Sequence, residues 1–196
     1  MKKTLLALAI SVTGMSAAHA HPHDFKAYSE LRGSIGQYSV DTVIEELDGT
    51  VLDSASGKTA PAGGIALRHH YNERFASEVE FTIAGDAEAF GRDSVSINTA
   101  VTASALVKAD KYNGFLPYAK LGYGLFDTTL HYDGDSVEDR HGTYVAGLGV
   151  DYDLSKTAII GVQYEHFGEF DIEYSADGNQ QSIDLNRLSL NVGFRF

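Results

Sequence analysis

From Leu188 to the last residue the chain reads LSLNVGFRF, with Leu188, Leu190, Val192, Phe194 and Phe196 apolar and Ser189, Asn191, Gly193 and Arg195 between them not. A period of two predicts a β-strand with one apolar and one polar face. Seven further segments carry the same alternation. Strand one is placed near Phe25 to Val40, and strand two runs from Gly63 to Tyr71 with Ile65, Leu67 and His69 on one face. Strand three, Arg74 to Ile83, sets Phe75, Val79, Phe81 and Ile83 against Arg74, Glu78, Glu80 and Thr82. Strand four, Ser94 to Lys108, has Val95, Ile97, Val101, Ala105 and Val107 in one parity. Strand five, Phe115 to Phe126, places Leu121 and Tyr123 opposite Tyr118 and Lys120. Strands six (Thr143 to Tyr152) and seven (Ala158 to Phe167) set Leu148, Val150, Ile160 and Val162 against Asp151, Gln163 and Glu165.

The connections sort by length. Asn72-Glu73, Ala109 to Gly114 and Asp153 to Thr157 are short turns, whereas residues 41–61, 84–93, 127–142 and 168–182 are long, polar and read as loops. The first of these could hold a short hairpin, because Val43, Ile44, Val51 and Leu52 flank an Asp48-Gly49 turn signal. In Ile183 to Leu185 the apolar parity is opposite to that from Leu188 onward, so either the last strand begins near Asn186 or a bulge sits there.

Eight strands with alternating short and long connections describe an all-β, eight-stranded, antiparallel up-and-down transmembrane β-barrel. A soluble sandwich or lipocalin-like barrel is the rival, but it has no reason to sort its loops by length. Aromatic residues gather in two bands, Tyr71, Phe75, Tyr152, Phe194 and Phe196 near the short turns and Phe81, Tyr123, Tyr144 and Tyr164 toward the long loops. Such bands are the interfacial girdles of a membrane barrel.

Residues 1–20 read as a signal peptide: Lys2 and Lys3, an apolar run from Leu5 to Val12, and a cleavage motif in which Ala18 and Ala20 are the small residues. Residues 21–196 are then the barrel domain. There is no cysteine, so stability rests on continuous hydrogen bonding rather than on disulfides. The formal net charge of −12 argues against a nucleic-acid partner.

The PYAKLGYGLF strand, the Gly-rich TYVAGLGVDYDLS segment and the terminal LSLNVGFRF resemble the small eight-stranded outer-membrane barrels of Gram-negative bacteria, a porin-like group that includes the OmpA barrel domain, OmpX and the opacity-type surface antigens. The resemblance implies an exported, monomeric surface antigen in the outer membrane, surrounded by membrane lipid and lipopolysaccharide. It also implies that Leu190, Val192, Phe194 and Phe196 are the positions read by the outer-membrane assembly machinery.

The inward parity carries charges of both signs: Glu30, Arg32, Arg68, Arg74, Glu78, Glu80, Lys120, Asp151, Glu165, Arg187 and Arg195. A barrel of eight strands is only wide enough for side chains to fill, so these groups are expected to pair and plug the lumen. A narrow gated pore for small solutes is the alternative, and it requires those pairs to rearrange. No catalytic role and no cofactor is expected. His166 stands beside Glu165 at the height of the outer leaflet, but position 168, where the deacylase barrels that act on lipid A would carry serine, is glycine. Asp133-Gly134-Asp135 with Glu138 and Asp139 lacks the ligand spacing of a calcium loop, and Pro22 denies His21-Pro22-His23 the amide a square-planar copper site needs. The four long segments hold seventeen acidic residues against Lys58, Arg92 and Arg140. Their acids suit either divalent-cation bridges to lipopolysaccharide phosphates, favouring membrane integrity, or adhesion to a basic host or phage partner.

Overall fold

The computed structural model describes residues 25–45, 51–88, 94–132, 135–173 and 180–196. The expected signal peptide, with Ala18 and Ala20, and the Asp48-Gly49 turn lie outside them. The described strands are β1 (Tyr28–Glu45), β2 (Val51–His70), β3 (Phe75–Ala84), β4 (Asp86–Glu88), β5 (Ser94–Lys108), β6 (Phe115–Tyr132), β7 (Asp135–Asp153), β8 (Ala158–Glu173) and β9 (Gln180–Arg195). All pairings are antiparallel, and β4 continues the course of β3 beyond Gly85 along the same partner, β5. The wall thus has eight staves, and it closes where β1 pairs with β9.

Alternation assigns the two faces as expected. On the outside, Leu31, Ile35, Ile65, Leu67, Leu121 and Leu148 lie in a belt with Val162, Leu188, Leu190 and Val192, all between 47% and 69% exposed. A soluble monomer does not expose a continuous apolar belt of this extent, so the belt's solvent is lipid. The short turns and both ends of the described chain gather at one rim. In the first turn Asn72 Oδ1 accepts from the backbone N–H groups of Arg74 (2.8 Å) and Phe75 (2.7 Å), which fixes the reversal.

Several expectations are corrected. The segments 41–61 and 127–142 are largely strand rather than loop: β1 and β2 stay paired to Glu45↔Val51, in keeping with the hairpin that Val43, Ile44, Val51 and Leu52 suggested, and β6 and β7 stay paired to Tyr132↔Asp135, where none was expected. Above the lipid an outward face need not be apolar, so the alternation fades while the hydrogen-bond ladder continues. Residues 168–182 likewise contain the end of β8 and the start of β9. In β5, Val95 and Ile97 do not share a face with Val107. Asn98 is an extra residue between the pairs Ile97↔Thr128 and Thr99↔Asp127, so Val95 and Ile97 turn inward.

The parity change near Asn186 is not a bulge in β9. Its register with β1 runs unbroken from Glu30↔Arg195 to Glu45↔Gln180, and Ile183 and Leu185 lie buried on the same inward face as Arg187, Ser189 and Asn191. The irregularity is in β8, between Phe167 and Phe170. What changes near Asn186 is the chemistry of the lumen.

Toward the long-hairpin end the wall divides. The ladder between β2 and β3 ends at Ala62↔Ala84, with one further backbone bond from Gly85 N–H to Pro61 O (2.9 Å), and that between β7 and β8 at Val145↔Phe167, with the Thr143 hydroxyl donating to Gly168 O (3.1 Å) just beyond. Beyond those pairs, β8, β9, β1 and β2 form one leaf and β4, β5, β6 and β7 another. Apolar side chains fill the space inside them, among them Tyr38, Val95, Ile97, Phe126, Phe167 and Leu185. Phe126 meets Phe167 edge-on with ring centroids 5.0 Å apart, joining one leaf to the other.

Candidate functional site

Below this apolar layer the lumen is filled by a ladder of alternating charge. Arg32 meets Asp151 through two contacts, Nη1 to Oδ2 at 2.8 Å and Nη2 to Oδ1 at 2.7 Å. Asp151 also accepts from Arg68 Nη1 (2.8 Å), and Arg68 Nε donates to Glu78 (2.7 Å). Glu78 is 2.9 Å from Lys120 Nζ, which in turn lies 2.5 Å from Glu165. Arg187 closes the series, donating from Nε to Glu165 (2.6 Å), from Nη2 to Glu80 (2.5 Å) and from Nη1 to Thr82 (2.7 Å). Four cations and four carboxylates balance, and all eight residues are buried. The geometry follows from the period of two: every second residue on adjacent staves faces the axis, so Arg68 and Glu78, or Glu165 and Arg187, are direct cross-strand pairs.

Unpaired, any one of these charges would cost several kcal/mol in so enclosed a site; paired and hydrogen-bonded, the set fixes the positions of its members. The Arg68 guanidinium also stacks 4.5 Å above the Tyr118 ring, whose hydroxyl donates to Gln163 (2.8 Å). At the short-turn end Arg195 continues the ladder, reaching Glu30 (2.9 Å) and Asp153 (2.5 Å).

One expected member is elsewhere. Arg74 lies on the first short turn, exposed, with Nη2 3.1 Å from Asp110 of the next turn. It precedes the first residue of β3 and so escapes the inward parity that its spacing from Glu78 suggested. Conversely, His70 and Lys108 are buried and joined Nδ1 to Nζ at 2.8 Å, although neither stood out in the sequence. Parity could have found both, since His70 follows Arg68 by two and Lys108 follows Leu106 by two. The apolar filling around Tyr38 was hidden by the parity changes at Asn98 and Asn186.

In β9, Leu190, Val192 and Phe194 point to lipid, while Phe196 is 75% exposed at the rim. The backbone of Phe196 is tied in, its N–H donating to Ser29 O (3.0 Å) and its carbonyl accepting from Ser29 N–H (3.1 Å).

The family model described as outer membrane protein beta-barrel domain matches residues 5–196. The chain belongs to this outer-membrane β-barrel family. Among solved structures it is similar to Neisserial surface protein A, at 14% identity and a TM-score of 0.56, with 88% of this chain and 100% of that chain covered. It is also similar to the outer membrane protein OprG of Pseudomonas aeruginosa, at 15% identity and a TM-score of 0.53, covering 87% and 96% of the two chains. The outer membrane protein AlkL in lipid bilayers gives 14% identity and a TM-score of 0.55, covering 91% and 94%. At these identities the likeness is one of fold. No curated protein sequence matches the chain.

In outer-membrane barrels the short turns face the periplasm and the long connections the exterior. This places the divided leaves of the present family member outside the cell and both ends of its described chain on the periplasmic side. On the exterior side Asp127 accepts from Arg140 Nε (2.5 Å) and from Thr99 Oγ1 (2.9 Å). The hydrogen bond from Arg140 holds the Asp127 carboxyl below the usual carboxylate range. His166 lies on the outer face, its Nε2 3.3 Å from the Tyr144 hydroxyl and its Nδ1 3.0 Å from Asn186 Oδ1. Ser182 stands across the strands from Asp171 rather than from His166, and its hydroxyl donates to Glu169 (2.5 Å). A nucleophile and its base need mutual hydrogen-bond reach, which this arrangement does not provide. Among the described residues no group of three or more His, Cys, Asp or Glu side chains is arranged to hold a metal ion.

Proposed function

We propose that this barrel is a closed structural and surface-exposed component of the outer membrane, and that its acidic exterior leaves bind the lipopolysaccharide layer through divalent cations. The observation that carries the first half is the balanced ionic ladder beneath an apolar layer. An open aqueous path would have to break the first and wet the second. The second half rests on the seventeen acids of the four long segments, whose described parts extend the wall beyond the lipid belt. Such a surface repels lipopolysaccharide phosphates unless Mg²⁺ or Ca²⁺ lies between them. Adhesion to a basic partner draws on the same charge and is separated by experiment.

Two measurements test the reading. Purified barrel in planar bilayers should give no steady conductance; a steady ohmic current would establish the gated pore instead. Cells lacking the protein should become more permeable to large apolar dyes, and the difference from the parent should vanish in chelator. Unchanged permeability together with lost attachment to cationic surfaces would replace the lipopolysaccharide reading with adhesion.

A further inference from the structure

We propose that the periplasmic mouth of the barrel binds a small anion, a carboxylate or phosphate carried on a short apolar group. The mouth holds a cavity of about 750 Å³. Its wall draws on all three short turns and both ends of the described chain, through residues such as Tyr28, Glu73, Lys108, Lys156 and Arg195. It therefore surrounds the barrel axis, and its occupant is a soluble periplasmic molecule rather than a lipid of the surrounding leaflet.

Lys108 is the observation that points to an anion. Its residue is only 4% exposed, and Nζ contacts His70 Nδ1 at 2.8 Å and the Asn72 carbonyl at 2.9 Å. Among the described residues the other buried cations, Arg32, Arg68, Lys120 and Arg187, each contact a carboxylate; Lys108 contacts none. An ammonium has three donors, so one is left for a ligand. Burying a cation with no carboxylate in direct contact is costly, and an anion drawn from solution would relieve that cost. His70 cannot do so, being neutral or cationic; it links Lys108 to Glu30, whose carboxylate lies 3.3 Å from His70 Nε2 and is also engaged by Arg195 at 2.9 Å.

The surroundings agree. Lys26, Lys108, Lys111, Lys156 and Arg195 line the cavity with Glu73 and Asp110; Lys111 is paired with Asp153 and Arg195 with Glu30 and Asp153, which leaves Lys26, Lys108 and Lys156 as the lining cations without a carboxylate partner among the described residues. Asp110 is engaged by Arg74, whereas Lys26 and Lys156 form no ion pair with a described residue. Phe25, Leu116 and Phe196 supply an apolar lip, and the Phe25 ring centroid lies 5.7 Å from Lys108 Nζ. A charged head at Lys108 with a few methylenes against these rings fits the lining. The proposal does not depend on the role assigned to the exterior leaves.

The chain from His21 onward, refolded in detergent micelles, would be titrated with hexanoate, hexyl phosphate, acetate, inorganic phosphate and hexylammonium while amide resonances are followed. The six-carbon anions should give saturable shifts at Asn72, Lys108 and Arg195, about tenfold tighter than acetate or inorganic phosphate, a difference of about 1.4 kcal/mol. Tighter binding of hexanoate assigns a carboxylate ligand, and tighter binding of hexyl phosphate a phosphate ester. Lys108→Met should weaken binding at least tenfold, and Lys108→Arg should restore it. Should Lys108→Met fail to refold, Lys156→Glu on the exposed turn should weaken anion binding several-fold. The proposal is overturned by absence of saturable shifts, by an equal response to hexylammonium, or by variants that bind as the parent does.

Discussion

Replacing Lys120 with methionine tests the lumen ladder most directly. Lys120 Nζ stands 2.9 Å from Glu78, 2.5 Å from Glu165 and 3.9 Å from Glu80, with no solvent exposure of its side chain. Methionine keeps most of the volume and removes one positive charge. Glu78 would retain Arg68, and Glu165 and Glu80 would retain Arg187, so no carboxylate is wholly orphaned. The set of four cations and four carboxylates nonetheless becomes three against four in an enclosed site. Breaking a buried pair by removing one partner costs about 3–5 kcal/mol, and the surviving contacts place Lys120→Met near the lower end, about 3 kcal/mol. Adding Glu165→Gln restores neutrality, so the double variant should be more stable than the sum of the single changes, by about 1–2 kcal/mol. The chain has no tryptophan, so unfolding in urea is best followed by far-ultraviolet circular dichroism and by heat-modifiable migration on gels. A single variant within about 0.5 kcal/mol of the parent, the scatter of ordinary surface changes, would refute the closed ladder and imply a hydrated lumen that screens its charges.

Three further outcomes are expected. Val162→Arg, on the lipid belt, should destabilise the refolded barrel by about 2–4 kcal/mol in bilayers, whereas Ser136→Arg on the exterior hairpin should not; equal effects would count against the assigned faces. Phe196→Ala should leave refolded stability nearly unchanged, because the tie to Ser29 is made by the backbone, yet lower the fraction of folded barrel recovered in the membranes of living cells. Equal recovery would remove Phe196 from the assembly signal. The depressed pKa of Asp127 adds local stability above the unfolded carboxylate's value of about 3.9, and that stability is lost as pH falls through the lower folded value. Amide exchange in the β6–β7 hairpin should therefore accelerate only in the acid range, and Asp127→Asn should flatten that dependence.

The membrane-height section of the molecule was legible in the sequence because lipid on one side and charge on the other impose a strict period of two. Leu148 and Asp151, or Val162 and Glu165, could be assigned to opposite faces without coordinates. The β1–β2 extension was signalled only by a turn dipeptide between short apolar pairs, and the β6–β7 extension was not legible, since Asp127 to Tyr132 and Asp135 to His141 carry no periodic demand on the face beyond the lipid. Ladder hydrogen bonds leave no mark on side-chain pattern. Arg74 shows the opposite error, a residue with the right parity placed just before its strand begins. Asn98 hid the apolar layer by inverting β5 part-way along. In β9 the same layer was hidden without any change of geometry, because a face can exchange charged for apolar residues while the backbone runs straight.

That exchange along one uninterrupted strand gives the barrel two ends that answer to different conditions. The layer around Tyr38, Phe126 and Phe167 is held by exclusion of water, a force that weakens on cooling and strengthens with excluded salts such as sulfate. The ladder from Arg32 to Arg187 is sealed from bulk ions and so responds little to ionic strength. Cooling therefore weakens what holds the apolar layer at the exterior end more than what holds the ionic ladder at membrane height.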